Sequence, residues 1–223
     1  MQNIAENLWL KHYPLSVLGT SHGRNVTVIR LSSGQTMVHS MAPFSSGDLA
    51  EIRALGSPAW LLESMLLHDT YAKEGRAAFP DLPFYGPPGF SDVVGFPTLS
   101  LQSPPPEWEG EIQVIPLEGA PKLKEHAVVH LPSRTLVVAD LVFNFPANES
   151  GWNRLFHRYL AGMKRYPAMS RVFRLFVKDR AAFRNSIAQL MAVDFDRIIV
   201  GHGEVIGNRG KELLQQALSD AGV

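Results

Sequence analysis

The sequence has no cysteine. Disulfides, thiolate-bound zinc and thiol nucleophiles are therefore excluded, and His, Asp and Glu are left as the strong metal ligands. It also has no net charge, with 21 Lys and Arg against 21 Asp and Glu, and no basic block stands out. A nucleic-acid or anionic-membrane partner thus has no electrostatic footprint. No apolar run approaches the ~20 residues that span a bilayer. The opening "MQNIAENLWLKHYPL" lacks the basic start and apolar core of a signal peptide. The expectation is a cytoplasmic protein with a small-molecule substrate and neither a nucleic-acid nor a membrane partner. No internal repeat of 20 to 50 residues is present.

What is present is an ordinary globular composition: 223 residues, 45% hydrophobic and 19% charged. That is enough chain to bury a substantial core, and residues 1–223 are expected to form one domain. "NVTVIRL" and "TMVHSMAP" are β-branched runs separated by "SSGQ" and predict a hairpin turning at Gly34. "SSGDLAEIRALG" predicts a helix capped by Ser45 or Ser46. "AWLLES" has the length of a buried strand, "HDTYAKEGRAAFP" is helix-like, and "PFYGPPG" is a strand entering a turn. The serines and three consecutive prolines between Phe90 and Glu109 predict a loop. "EIQVIPLEG", "EHAVVHLP" and "TLVVADLVF" predict three strands. After Phe145 the apolar spacing turns helical in "WNRLFHRYLAGMKRY", "SRVFRLFV" and "DRAAFRNSIAQLMAVD", the last capped by Asp179. The strand "DRIIVGHG" and the helix "NRGKELLQQALSDAG" close the chain. The order predicts an α/β layered sandwich with strands inside and helices outside.

Three segments share one design, an apolar strand followed by a metal-capable side chain. They are "LLESMLLHD" with His68 and Asp69, "TLVVADLVF" with Asp140, and "DRIIVGHGE" with His202. Strand ends are rigid anchors, and the loops leaving them form open sites. A bare carboxylate after "LVVA" would carry a large desolvation penalty as a core residue. The glycines on either side of His202 permit a tight turn and a close approach. Two His and one carboxylate suffice for a single Zn, Fe or Mn ion with open positions.

"TLVVADLVF" followed by "DRIIVGHGE" resembles the second half of a metallo-β-lactamase-superfamily domain, where one apolar strand ends in Asp and a later one in Gly-His-Gly. By element order the resemblance runs over roughly residues 3 to 207. It implies an αββα four-layer metallo-β-lactamase-like sandwich, in a divergent branch with a degenerate HxHxDH motif. Placing that motif's last His on His68 puts Leu67 at its Asp, Met65 at its second His and Glu63 at its first. "PLEGAPKLK" holds no third-motif His. His39 takes the place of the first-motif Asp. Two ions ~3.5–4 Å apart then lack ligands, and a mononuclear site of His68, Asp140 and His202 remains, with Asp140 the catalytic candidate. His39, Asp69 and Glu63 are further metal candidates. The plainer alternatives are a buried hydrogen-bonded role for His39, and surface or capping roles for Asp69 and Glu63.

The resemblance implies a metal-dependent hydrolase-like protein of unknown substrate using one divalent metal, with zinc ahead of iron or manganese. Two alternatives stay open. One is a catalytically inactive, metal-free binding or scaffold protein; the other is a mononuclear Fe(II) oxygenase-type enzyme. Of the remaining histidines, His126 and His130 fall four apart on a predicted strand, ~13 Å along its axis, and are expected at the surface. His12, His22 and His157 carry no pattern. Trp152 and Phe156 are expected in the core, with a pocket lining as the alternative. No serine has a nucleophile-elbow context.

Overall fold

Side-chain alternation along the strands decides the layering. In the computed structural model, which describes residues 1–146 and 148–223, seven strands form one sheet. Their order is β1 (Gln2–Ala5), β2 (Leu8–Tyr13), β5 (Arg24–Arg30), β6 (Gln35–His39), β7 (Ser57–Leu62), β8 (Phe84–Gly86) and β9 (Leu99–Ser100). Four more, β10 (Ile112–Pro116), β11 (His126–His130), β12 (Thr135–Val137) and β13 (Arg197–Ile199), form a second sheet in that order. β3 (Ser16–Val17) and β4 (Thr20–Ser21) pair as a separate short ribbon.

Met37, Trp60 and Leu62 from the first sheet meet Val128, Val137 and Ile199 from the second in one buried cluster between the sheets. Their neighbours one residue along point the other way. Val38 and Leu61 pack with Ile52, Ala72 and Phe90 of α1 (Ser46–Ala54), α2 (Ala72–Ala78) and α3 (Phe90–Val94). Leu136, Val129 and Ile198 pack with Phe173, Phe183 and Leu214 of α5 (Arg171–Phe176), α6 (Arg180–Ala192) and α7 (Gly210–Asp220). The layers are therefore helix, sheet, sheet, helix, as expected from the element order. The expected caps form as well. Ser45 and Asp48 make a reciprocal capping box, and Asp179 accepts from Ala181 N and Ala182 N, both at 3.0 Å. No helix among the described residues is long and apolar enough to cross a membrane.

Three expectations need correction. The segment from Phe90 to Glu109 is not a plain loop: it holds α3, β9 and a 3-10 turn over Pro106–Trp108. Trp108 is 1% exposed and lies edge-on to Trp60, so the prolines flank an anchor of the intersheet core. The long helix expected from Trp152 is instead α4 (Gly151–Leu155) and a π turn over Phe156–Leu160, ending near Gly162 at φ 74°. His126 and His130 are buried rather than at the surface. β11 is paired on both sides, and the two rings bond to Lys124 O and Ser133 Oγ.

Candidate metal centre

Strand register brings two of the three candidate ligands together. β12 and β13 are parallel, with Val137 opposite Ile199, and Asp140 and His202 each follow three residues later. The strands stay in step past their ends through Val138 N to Ile199 O at 3.0 Å and Gly201 N to Ala139 O at 3.1 Å. Only glycine fits at 201, because a Cβ there would stand 2.6 Å from Ala139 O and 3.0 Å from His68 Cε1. Gly203 has φ 102°, with Asn144 O 2.3 Å from an added Cβ. Both glycines of the Gly-His-Gly run thus serve close approach. The third candidate arrives from the loop after β7. Its tight turn, His68 N to Met65 O at 3.2 Å, delivers the ring over the same spot.

The result is one cluster. His68 Nε2 lies 3.2 Å, and His202 Nε2 3.3 Å, from Asp140 Oδ1. One ligand atom from each of the three residues falls within 4.8 Å of the other two. Tetrahedral ligation at ~2.0–2.1 Å separates ligands by about 3.4 Å, close to both distances. Two backbone devices hold the His202 loop. His202 Nδ1 donates to Gly23 O at 2.5 Å, which leaves Nε2 as the ring nitrogen facing the carboxylate. Asn25 donates through Nδ2 to Val200 O and Gly203 O, both at 2.8 Å, and through its backbone to Gly201 O at 2.9 Å.

Asp140 is held differently. The buried Glu125 carboxyl accepts from Ala139 N at 2.9 Å, Asp140 N at 3.1 Å and Leu141 N at 3.2 Å. Burial, with Asp140 nearby, pushes Glu125 up to about 8. Burial also opposes ionisation of Asp140, but His68 and His202 outweigh it and hold that carboxyl below the ordinary range. Burial lowers His68 to about 4, so at neutral pH the site presents a neutral imidazole and a carboxylate. His68 Nδ1 is buried without a hydrogen-bond partner. A convergent carboxylate and imidazole acceptors with an open side are a donor set that fits a divalent cation.

The other candidates lie outside this cluster. Glu63 is neither at the surface nor a helix cap: it is fully buried and paired with Arg24, Nη2 to Oε1 at 2.5 Å. Its Oε1 also accepts from Met41 N at 2.7 Å, and its Oε2 lies 3.9 Å from His68 Nδ1. Burial raises Glu63 to about 7 against the pull of Arg24. His39 is buried with Nε2 on Ser64 Oγ at 3.0 Å, matching the hydrogen-bonded alternative. Asp69 is exposed, and only its backbone carbonyl meets the start of α2, at Ala72 N.

Sequence reasoning missed Arg24, Asn25 and Glu125, which carry no recognisable spacing, and His22. The His22 ring centroid lies 5.8 Å from that of His202 and 4.7 Å from that of His157. Thr20 Oγ1 donates to Val17 O, so it accepts from His22 Nδ1 at 2.8 Å and leaves Nε2 as the acceptor. Burial, with His202 and His157 close by, lowers His22 to about 4. His157 itself bonds to Glu149 at 2.6 Å and stacks flat on Phe145.

A cavity of about 290 Å³ opens over the cluster, with His22, Arg24, His68, Asp140 and His202 at its polar end. Met65 and Leu67, which occupy two of the HxHxDH ligand positions, form part of its apolar wall. Phe156 lines it and also packs against the Phe143–Phe145 cluster, so it fits both the core and the pocket expectation, while Trp152 is half exposed and fits neither.

No family model matches the sequence, and no curated protein sequence does either. Solved structures do match. A metallo-β-lactamase from Erythrobacter litoralis, with β-mercaptoethanol in its active site, superposes with a TM-score of 0.67 at 12% identity, covering 98% of this chain and 95% of that one. A metallo-β-lactamase from Pontibacter korlensis gives 0.66 at 13% identity, covering 98% and 96%. The mono-zinc form of the FIM-1 metallo-β-lactamase from Pseudomonas aeruginosa gives 0.62 at 13% identity, covering 99% and 95%. With the layers, the strand-end cluster and these superpositions agreeing over nearly the whole length, the chain has the metallo-β-lactamase fold.

Proposed function

We propose that the protein is a metal-dependent hydrolase with one divalent ion, zinc first, held by His68, Asp140 and His202. The observation that carries this reading is the convergence of two imidazole Nε2 atoms on Asp140 Oδ1 at 3.2 and 3.3 Å, with the His202 tautomer set by Gly23 O. A neighbour of the same fold, FIM-1, has a mono-zinc form, so the fold itself accommodates a single ion. When bound, such an ion supplies Lewis acidity, polarising a scissile carbonyl or phosphoryl group and lowering the pKa of water.

The chain's own residues do the rest. Asp140 stays ionised at neutral pH because its neighbours hold its carboxyl low, and Glu125 fixes its backbone. His22, neutral and with Nε2 free, lines the cavity as a hydrogen-bond acceptor for water. Arg24, paired with Glu63, offers N–H donors beside the cluster, and the apolar walls exclude bulk water.

One observation favours a second reading, a metal-free binding protein. His68 Nε2 and Asp140 Oδ1 at 3.2 Å satisfy each other as a hydrogen bond without any ion. Elemental analysis separates the two readings. The hydrolase reading expects about one equivalent of metal in the wild type and loss of it in Asp140→Ala and His202→Ala. Equal, sub-stoichiometric metal in all three would sink it.

A further inference from the structure

The charged and imidazole side chains of the cavity over the cluster are Arg24, Asp140 and the three histidines, and Thr70 and Ser170 are its other polar residues; the rest of the lining is apolar. Its walls are Leu15, Met65, Phe143, Phe156, Met163 and Phe173, and its mouth carries Val17, Leu18, Leu67 and Val172. These four mouth residues are themselves exposed, Leu18 at 75%. Among the described residues, eleven large hydrophobic side chains are exposed. Four are those at the mouth, and five more lie on the 151–160 segment and on α5, which supply the cavity's Phe156 and Phe173. Only Val93 and Leu99 lie elsewhere. Scattered single exposed hydrophobics are ordinary, but four that line one pocket mark a binding surface.

The rim is also built to hold its shape. Trp152 Nε1 donates to Leu18 O at 3.1 Å and Asn153 Oδ1 accepts from Ser21 N at 3.1 Å, tying the β3–β4 ribbon to α4. At about 290 Å³ the cavity sits at the small end of the roughly 300–1,000 Å³ of ligand pockets. A ligand that fills it and also covers the rim is longer than the cavity. Its buried end meets Arg24, Asp140 and the imidazoles, and its remainder meets hydrocarbon.

From this juxtaposition of a polar floor, an apolar wall and an apolar rim, we infer that the site takes an amphiphile of the acyl class. The carbonyl end lies on the cluster and a medium or long alkyl chain runs out between the β3–β4 ribbon and α5. The inference rests on the proposed function for the reaction, an ester or amide hydrolysis, but not for the binding. In that hydrolysis water adds to the acyl carbon, the bond to the leaving oxygen or nitrogen breaks, and the leaving group departs with the proton.

The test uses 11-(dansylamino)undecanoic acid as a fluorescent probe, titrated into wild type, Leu18→Asp, Val172→Glu and the remote control Val93→Glu. Saturable binding is expected in wild type and Val93→Glu, with at least tenfold weaker binding in Leu18→Asp and Val172→Glu. The mutated rim residues are exposed, so these variants are expected to fold. Circular dichroism checks this, and Leu18→Ser and Val172→Ser stand in for any that does not fold. Absence of saturable binding, or equal affinity in the rim variants and wild type, would overturn the inference. So would an equal loss in Val93→Glu. With zinc-loaded wild type, kcat/KM on p-nitrophenyl acetate, butyrate and octanoate should rise, by up to about fourfold per methylene buried. Probe binding without hydrolysis of any ester would overturn the hydrolase reading and leave the acyl-ligand site standing. A flat chain-length profile alongside measurable hydrolysis would overturn the acyl inference alone.

Discussion

Replacing Glu125 by Gln is a small change with a calculable effect. In the native chain one carboxyl oxygen serves Ala139 N and Leu141 N, and the other serves Asp140 N. A Gln at this place keeps one acceptor oxygen and turns an NH2 group towards a backbone N–H. If the oxygen keeps its two partners, Asp140 N becomes a buried donor facing a donor. A buried unsatisfied donor costs roughly 1–3 kcal/mol. For a domain of 223 residues each kcal/mol moves Tm by roughly 2–4 °C. Because the misplaced N–H belongs to a proposed ligand, zinc affinity should fall by roughly 10–100-fold, as for other groups that orient ligands. Denaturant unfolding of the metal-free protein gives the first quantity and competition with a zinc-binding dye gives the second. A variant that loses stability but binds zinc as tightly as wild type would refute the idea that Glu125 positions Asp140.

Three further outcomes are expected. Burial lowers His39 to about 3, with His68 and Arg24 adding to the shift, from an ordinary 6.5. The unfolded chain therefore takes up a proton that the folded chain refuses, and this contribution to stability is present above 6.5 and lost as pH falls towards 3. Between pH 7 and 5.5 that amounts to about 1 kcal/mol, and His39→Gln should flatten the unfolding free energy by that much. Gly201→Ala places a Cβ 2.6 Å from Ala139 O. It should cost about 1–3 kcal/mol, the usual range for overpacking, and reduce bound zinc by elemental analysis; a variant with normal stability and metal content would show that the two loops are not packed as described. Trp108→Ala empties an intersheet position and should destabilise by about 3–5 kcal/mol in urea unfolding. A loss below 1 kcal/mol would return the proline-rich segment to the status of a loop.

The layers were legible because short apolar, β-branched runs such as "NVTVIRL" and "TLVVADLVF" announce buried strands, and helical spacing follows them. The positions of Asp140 and His202 were legible for the same reason, a polar side chain just after a buried run having few places to go, whereas His68 stands six residues past the end of β7 and was picked out by the apolar run that precedes it. The residues that fix those three were not. Glu125 acts through backbone N–H groups fifteen residues away and Asn25 through carbonyls near residue 200, and tertiary partners of that kind leave no spacing in a single sequence. Arg24 and Glu63 are each unremarkable in their own strands, and only the fold shows that they neutralise one another in the interior. Trp108 was hidden by its prolines, which break local periodicity while leaving the ring free to anchor the core. His126 and His130 depart in the opposite direction: their polarity suggests exposure, but a doubly paired strand buries both rings.

The parallel pairing of Val137 with Ile199 has a consequence for how this chain tolerates change. Asp140 and His202 are positioned by counting three residues forward from a shared rung of the sheet, and the chain between Leu141 and Asp196 does not enter that count. Past the Asn144–Gly203 bridge, loops there can lengthen or shorten without moving either proposed ligand, provided that α5 and α6 still cover the sheet. A single residue added between Val137 and Asp140, or between Ile199 and His202, would put the proposed ligands out of step. Ligand placement and pocket wall are therefore separately editable. Directed evolution of substrate preference should concentrate on the intervening segment, and the two three-residue spacers should be left untouched.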